Sequence, residues 1–180
     1  MIYKNTAYLF AFMLIIVSAL TRIIPHPFNF TAIGAMALFS GAVIKDKRTA
    51  YLFPIFVLFL TDLALGFHAS MIPVYGCFCI TVFIGTRIKN TSAVLPIVFS
   101  SLISSVIFYL VTNLPFWYAD ISLYPMTWAG TMESYKMALP FFRNQVLGDL
   151  VYNAVLFGAY YFIARGSRSP VAQYSAEKKY

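Results

Sequence analysis

Six apolar stretches, parted by short polar or charged breaks, follow one another along the chain at positions 6–24, 30–44, 49–66, 71–88, 92–113 and 141–164. A helix rises about 1.5 Å per residue and the hydrocarbon core of a bilayer is about 30 Å thick, so most of these stretches have the length of a membrane span. The pattern predicts an all-α polytopic membrane protein with six transmembrane helices in one domain, 1–165, and a disordered cytoplasmic tail, 166–180. The second stretch is the exception. Its fifteen residues make about 22 Å of helix, short for a crossing. The segment before it, Arg22-Ile-Ile-Pro-His-Pro-Phe-Asn-Phe-Thr31, must help complete the passage. Pro25 and Pro27 keep that segment extended, and Thr31 or Asn29 is the expected cap of the helix that follows. Irregular backbone at membrane depth is tolerated where it is buried in protein or lines a cavity.

Between the fifth and sixth stretches lies the one long connection, 114–140, rich in aromatic residues: Phe116, Trp117, Tyr118, Tyr124, Trp128 and Tyr135. Such a composition needs a surface to pack on. It fits either a lid over a pocket or a segment anchored at the membrane interface, where Trp and Tyr also gather.

Composition supports the membrane reading: 61% of the 180 residues are hydrophobic and 11% are charged. The net charge of +7 does not point to nucleic acid, because the charges are sorted by end. Lys4, Lys45, Lys47, Arg48, Arg87, Lys89, Arg165, Arg168, Lys178 and Lys179, ten of the thirteen basic residues, fall at alternate ends of the spans. By the positive-inside rule both termini are cytoplasmic and the protein belongs in the inner (cytoplasmic) membrane as a multi-pass protein. Only Arg22, Lys136 and Arg143 remain on the other side, together with the acids Asp62, Asp120, Glu133 and Asp149. The first stretch has the length of a span and no clear cleavage site, so it is read as a helix rather than a signal peptide. Cys77 and Cys79 stand about 200° apart on a helix and cannot pair.

Charge inside a membrane marks the candidate chemistry. Asp62 lies about one turn inside the outer end of the third helix, and Arg22 or Arg143 is its expected neutraliser. Gly66 lets the chain turn before His68. On the sixth helix Gln145, Asp149 and Asn153 recur every four residues and share one face, as a cavity wall or as interhelical hydrogen bonds. His26, His68 and Asp62 have the donor types of a zinc or iron site but not the spacing of one, so no metal held by the protein itself is expected, and no cofactor. Small residues four apart, Ala7 and Ala11 in the first helix and Ala154 and Gly158 in the sixth, permit close helix approach, within the chain or to a partner. No nucleotide-binding loop, GxSxG or HExxH occurs, so neither an ATPase nor a familiar hydrolase is encoded.

Six short helices, cytoplasmic termini, the Ala7–Ala11 pair and a pocketed outer face together resemble the S components of energy-coupling factor (ECF) vitamin transporters. The runs RIIPHPFNFTAIGAMALFSGA (22–42), TDLALGFH (61–68), TNLPFW (112–117) and ALPFFRNQVLGD (138–149) resemble an uncharacterised bacterial membrane-protein family placed beside them. The resemblance implies a substrate-binding protein for uptake of a vitamin-like small molecule. Ala7 and Ala11 would then dock on a transmembrane coupling subunit driven by ATPases. The solitary cobalamin-transporting S component coordinates cobalt through a cysteine, which makes Cys77 the matching position and cobalamin the first candidate. The expected lining is Arg22, His26, Asn29, Asp62, His68, Cys77, Asn113, Trp117, Trp128, Arg143, Asp149 and Asn153. The competing expectation is a membrane enzyme or accessory subunit acting on a lipid-linked or periplasmic substrate, with His26, His68 and Asp62 as acid and base groups.

Overall fold

The computed structural model describes residues 2–67, 70–117 and 123–166, with side chains described from Tyr8 to Ala164 within those ranges. They form six α-helices and a single 3-10 turn at 115–117: α1 (Ile2–Leu20), α2 (Ile33–Val43), α3 (Lys47–Leu65), α4 (Met71–Gly85), α5 (Val94–Thr112) and α6 (Trp128–Gly166). By length and apolar composition α3, α5 and the 128–164 part of α6 are each sufficient to cross a membrane. Helices α2 and α4 are shorter, as is the part of α1 whose side chains are described, Tyr8–Leu20. Large apolar side chains cover the perimeter, among them Leu52, Ile72, Leu95, Phe99, Val155 and Phe162, all exposed. A surface so continuously apolar is suited to lipid rather than water.

The helices are arranged around α2, which touches each of the other five. Nine of its eleven residues are buried. Its sequence, IGAMALFSGAV, explains how one helix fits among five: small residues alternate with Met36, Leu38 and Phe39, so neighbours come close on several sides. Gly41 and Gly85 set the approach to α4. A β-carbon on Gly41 would collide with the Val82 carbonyl, and one on Gly85 with the Leu38 carbonyl. Backbone therefore lies on backbone here, the close approach that small residues permit between membrane helices. Phe39 fills the opposite side, edge-on to Phe157 at 5.2 Å and to Tyr160 at 5.7 Å.

Several boundaries differ from the sequence expectation: α1 runs Ile2–Leu20 rather than 6–24, α4 stops at Gly85 rather than 88, and the starts of α2 and α6 move further. Helix α2 begins at Ile33, not Phe30, and its N-cap is Ala32, which supplies no side-chain bond. Neither Thr31 nor Asn29 caps it. Asn29 instead takes a left-handed conformation, φ 61°, a region asparagine tolerates better than most residues and which turns the chain into α2. The Ala32 N–H donates to Thr21 Oγ1 at 3.2 Å.

The larger correction concerns the 114–140 connection. Its second half is helix, because α6 starts at Trp128 and runs through Pro140 for 39 residues, about 58 Å. The Thr127 hydroxyl accepts from the Gly130 N–H at 3.2 Å and so caps the start. Pro140 does not end the helix; it only leaves the carbonyl one turn earlier without a helical donor. The added turns dock on α5, where Tyr135 Oη donates to the Leu110 carbonyl, Ser134 Oγ to that of Asn113, and Tyr109 Oη to that of Tyr135. The expected tail lies almost wholly outside the described residues.

At the opposite end Asp46 caps α3. Its carboxylate accepts from the Thr49 hydroxyl at 2.6 Å and the Thr49 N–H at 2.7 Å, and these bonds hold it below the usual aspartate range.

Candidate functional site

The α1–α2, α3–α4 and α5–α6 connections gather at one end of the bundle, and a cavity of about 680 Å³ opens among them. Extended and turn residues of the first connection supply Arg22, His26, Phe28 and Asn29; α5 supplies Phe108, Tyr109 and Thr112, with Asn113 just beyond; α6 supplies Ser134, Met137, Phe142 and Gln145. Phe78 from α4 meets Phe108 at 5.5 Å, and Tyr109 meets Phe142 at 4.6 Å, so aromatic rings pave much of the interior. The volume lies in the range of small-molecule sites, and the mixture of apolar wall with a few convergent polar groups is typical of them.

Arg22 is held from behind. Its Nη1 donates to Asp62 Oδ1 at 2.5 Å and to Thr61 Oγ1 at 2.6 Å, while Asp62 Oδ2 accepts from Tyr75 Oη at 2.6 Å. Asp62 is 1% exposed. It stands behind the cavity wall and fixes the arginine that belongs to the wall. Of the two cations expected to neutralise Asp62, Arg22 does so; Arg143 is exposed and off the lining.

The α6 polar stripe divides by depth. Gln145 lines the cavity. One turn on, Asp149 is 4% exposed and lies against Gly34, where a β-carbon would overlap its carboxylate. Ser105 Oγ donates to it at 2.8 Å, and the Ala35 backbone N–H and the Gln145 side chain face it. Asp149 therefore serves, from another helix, as the cap that the start of α2 lacks in its own sequence. Asn153, a further turn along, donates to Ser101 Oγ at 3.0 Å and borders a second, mostly apolar hollow of about 480 Å³ between α5 and α6.

Of the residues expected to line the site, the cavity brings together Arg22, His26, Asn29 and Asn113. Asp62 supports it, Asp149 lies below it, and Asn153 borders the other hollow. Trp117 is tied down by its Nε1–H to the Val111 carbonyl at 2.7 Å and does not reach the lining. Trp128 is 77% exposed at the start of α6. Cys77 is buried off the cavity, and His68 lies outside the described residues. Among the described residues no three of His, Cys, Asp and Glu come together as a metal site. Ala11 is wholly buried inside the chain, so it offers no open docking face, and the Ala7 side chain lies outside those described. Beyond the expected lining the cavity also takes in Tyr109, Phe142, Gln145 and Ser134. Gln145 carried a signal, the i, i+4 spacing with Asp149; Ser134 carried none while its segment was read as loop.

The molecule is thus an all-helical bundle with membrane-length helices, apolar outside, and an amphipathic cavity at one end. The chain belongs to DUF6580, a family of unknown function, whose model matches residues 3–172. No curated protein and no solved structure matches it.

Proposed function

We propose that this chain is a six-span inner-membrane protein with cytoplasmic termini that binds a vitamin-like small molecule in the cavity at its outer face, in the manner of an S component of an uptake system. The observation that carries the reading is the cavity itself: it is of ligand size, it lies where three connections meet, and its one arginine is pre-oriented by buried Asp62 and Thr61. The distribution of basic residues supports the orientation, because Lys45, Lys47, Arg48, Arg87 and Lys89 cluster at the end away from the cavity.

Cobalamin, the first candidate on resemblance, receives no support from Cys77, which is off the lining. A cargo smaller than a corrinoid suits the volume better. A coupling subunit that docks on α1 would meet its exposed stripe, Leu9, Met13, Ile16, Val17 and Leu20, rather than buried Ala11.

Mass spectrometry of small molecules released from gently purified protein tests the reading. A stoichiometric compound is expected, and it should be lost from Ala138→Phe, which fills the cavity from α6. Folded protein that is empty and remains empty after incubation with cell extract would overturn it. Reporters fused after Asn90 and after Met126 should read cytoplasmic and external respectively; the reverse would overturn the orientation.

A further inference from the structure

The charges around the cavity are one-sided. Among the described residues no Asp or Glu lines it, and Arg22 is the lining group with a permanent charge. Of the Arg22 guanidinium, Nη1 is occupied by Thr61 and Asp62. Nε and Nη2 have no hydrogen-bond partner among the described residues, although the side chain is only 19% exposed. The Nε–Nη2 edge is a planar fork of donors, the geometry that receives a carboxylate through two parallel bonds. These donors are open to the aromatic-walled cavity, where a ligand or water can accept from them.

We infer that the natural ligand is an amphipathic organic anion: one carboxylate on an aromatic or other flat apolar body, the acid seated on Nε and Nη2 of Arg22 and the body between Phe78, Phe108, Tyr109 and Phe142. This rests on the cavity being a small-molecule site, and adds the charge and shape of what enters. Asp62 has a defined part in it. It holds the guanidinium by the opposite side and leaves the fork pointing one way, while its own charge offsets that of Arg22 at longer range. Selectivity for the anion therefore comes from short bonds within the cavity, not from a long-range field that salt would screen.

The test uses the full chain in phosphatidylcholine nanodiscs and three probes of one shape: 2-naphthoate, 2-naphthamide and 2-naphthylmethylamine. Equilibrium dialysis against empty discs corrects for partition into lipid. The naphthoate is expected to bind about tenfold or more tighter than the amide, the worth of a charge-assisted pair of bonds, with the amine weakest. Arg22→Gln should bring naphthoate binding down to that of the amide, and Arg22→Lys, which has no fork, should restore it only in part. The comparison among probes on the unaltered chain stands even if a variant fails to fold. Equal binding of naphthoate and amide overturns the anion assignment, as does absence of specific binding by all three. If the compound released from native protein is uncharged or cationic, the anion assignment falls while the cavity keeps its role; if folded protein never holds a compound, the cavity reading falls as well.

Discussion

Glycine to alanine should act with opposite sign at two positions on the same helix. In a helix interior alanine is favoured over glycine by about 1 kcal/mol, because glycine loses more backbone freedom on folding. At Gly76, exposed on α4, a β-carbon would meet nothing within 4 Å. Gly76→Ala should therefore stabilise the protein by up to about 1 kcal/mol. At Gly85, nine residues further along α4, a β-carbon would strike the Leu38 carbonyl and stand 3.1 Å from the Gly41 α-carbon. Neither is the end of a flexible side chain, so the helices must part. Over-packing of a tight interior costs about 1 to 3 kcal/mol, and a collision with backbone belongs at the upper end. Set against the propensity gain, the net loss for Gly85→Ala is about 1 to 2 kcal/mol. Gly41→Ala, which meets the Val82 carbonyl, should lose a similar amount. A single separation of α2 from α4 relieves both clashes, so the double variant should lose clearly less than the sum. Unfolding in mixed micelles, with the denaturing detergent titrated and followed by circular dichroism, measures all four variants. The reasoning fails if Gly76→Ala and Gly85→Ala move stability in the same direction, or if the double variant is additive.

Breaking the buried ion pair should be severe and removing it whole should not. Asp62→Leu leaves Arg22 and Tyr75 without their partner and should cost about 3 kcal/mol, whereas Asp62→Leu with Arg22→Met should recover most of that, measured in the same unfolding titration. Asp149→Ala removes the acceptor for Ser105 and the Ala35 N–H and should cost about 1 to 2 kcal/mol, with faster amide exchange confined to the first turn of α2. If exchange instead rises evenly over α6, Asp149 is not acting as that cap. Asp46 is held below its ordinary range in the folded state, so its contribution is fully present above that range and is lost as pH falls through the lowered value. The acid-side fall in stability should become shallower in Asp46→Ala; an unchanged pH profile would show that the Thr49 bonds carry no linked stability.

Hydrophobic length announces six segments, and six α-helices are present among the described residues, because apolar run length is a property of the sequence itself. What the sequence concealed were the partners. Pro140 and the surrounding polar and aromatic residues gave 128–140 the look of a loop, and only its docking on α5 through Ser134, Tyr135 and Tyr109 makes it helical. The cap of α2 was sought nearby in Asn29 and Thr31, but it comes from Asp149, more than a hundred residues away in sequence. The Asp62–Arg22 pair was foreseeable from cost alone: a carboxylate at that depth requires a cation, and two stood at the right level. Trp117 and Trp128 are expected in the lining from their type, which says nothing of direction. One is tied to the Val111 carbonyl and the other faces outward.

The central place of α2 has a consequence in time. It is the second helix to be synthesised, yet most of the surface it is buried against belongs to α4, α5 and α6, which do not yet exist when it leaves the ribosome. Its eleven residues span about 16 Å, about half a hydrocarbon core, and nearly every side faces protein rather than lipid. Such a segment has no stable resting place in a bilayer by itself. Its burial is complete only with α4 packed over Gly41 and Asp149 of α6 at its start. The helix at the centre of the finished bundle is thus the one whose contacts depend most on segments that follow it in the sequence.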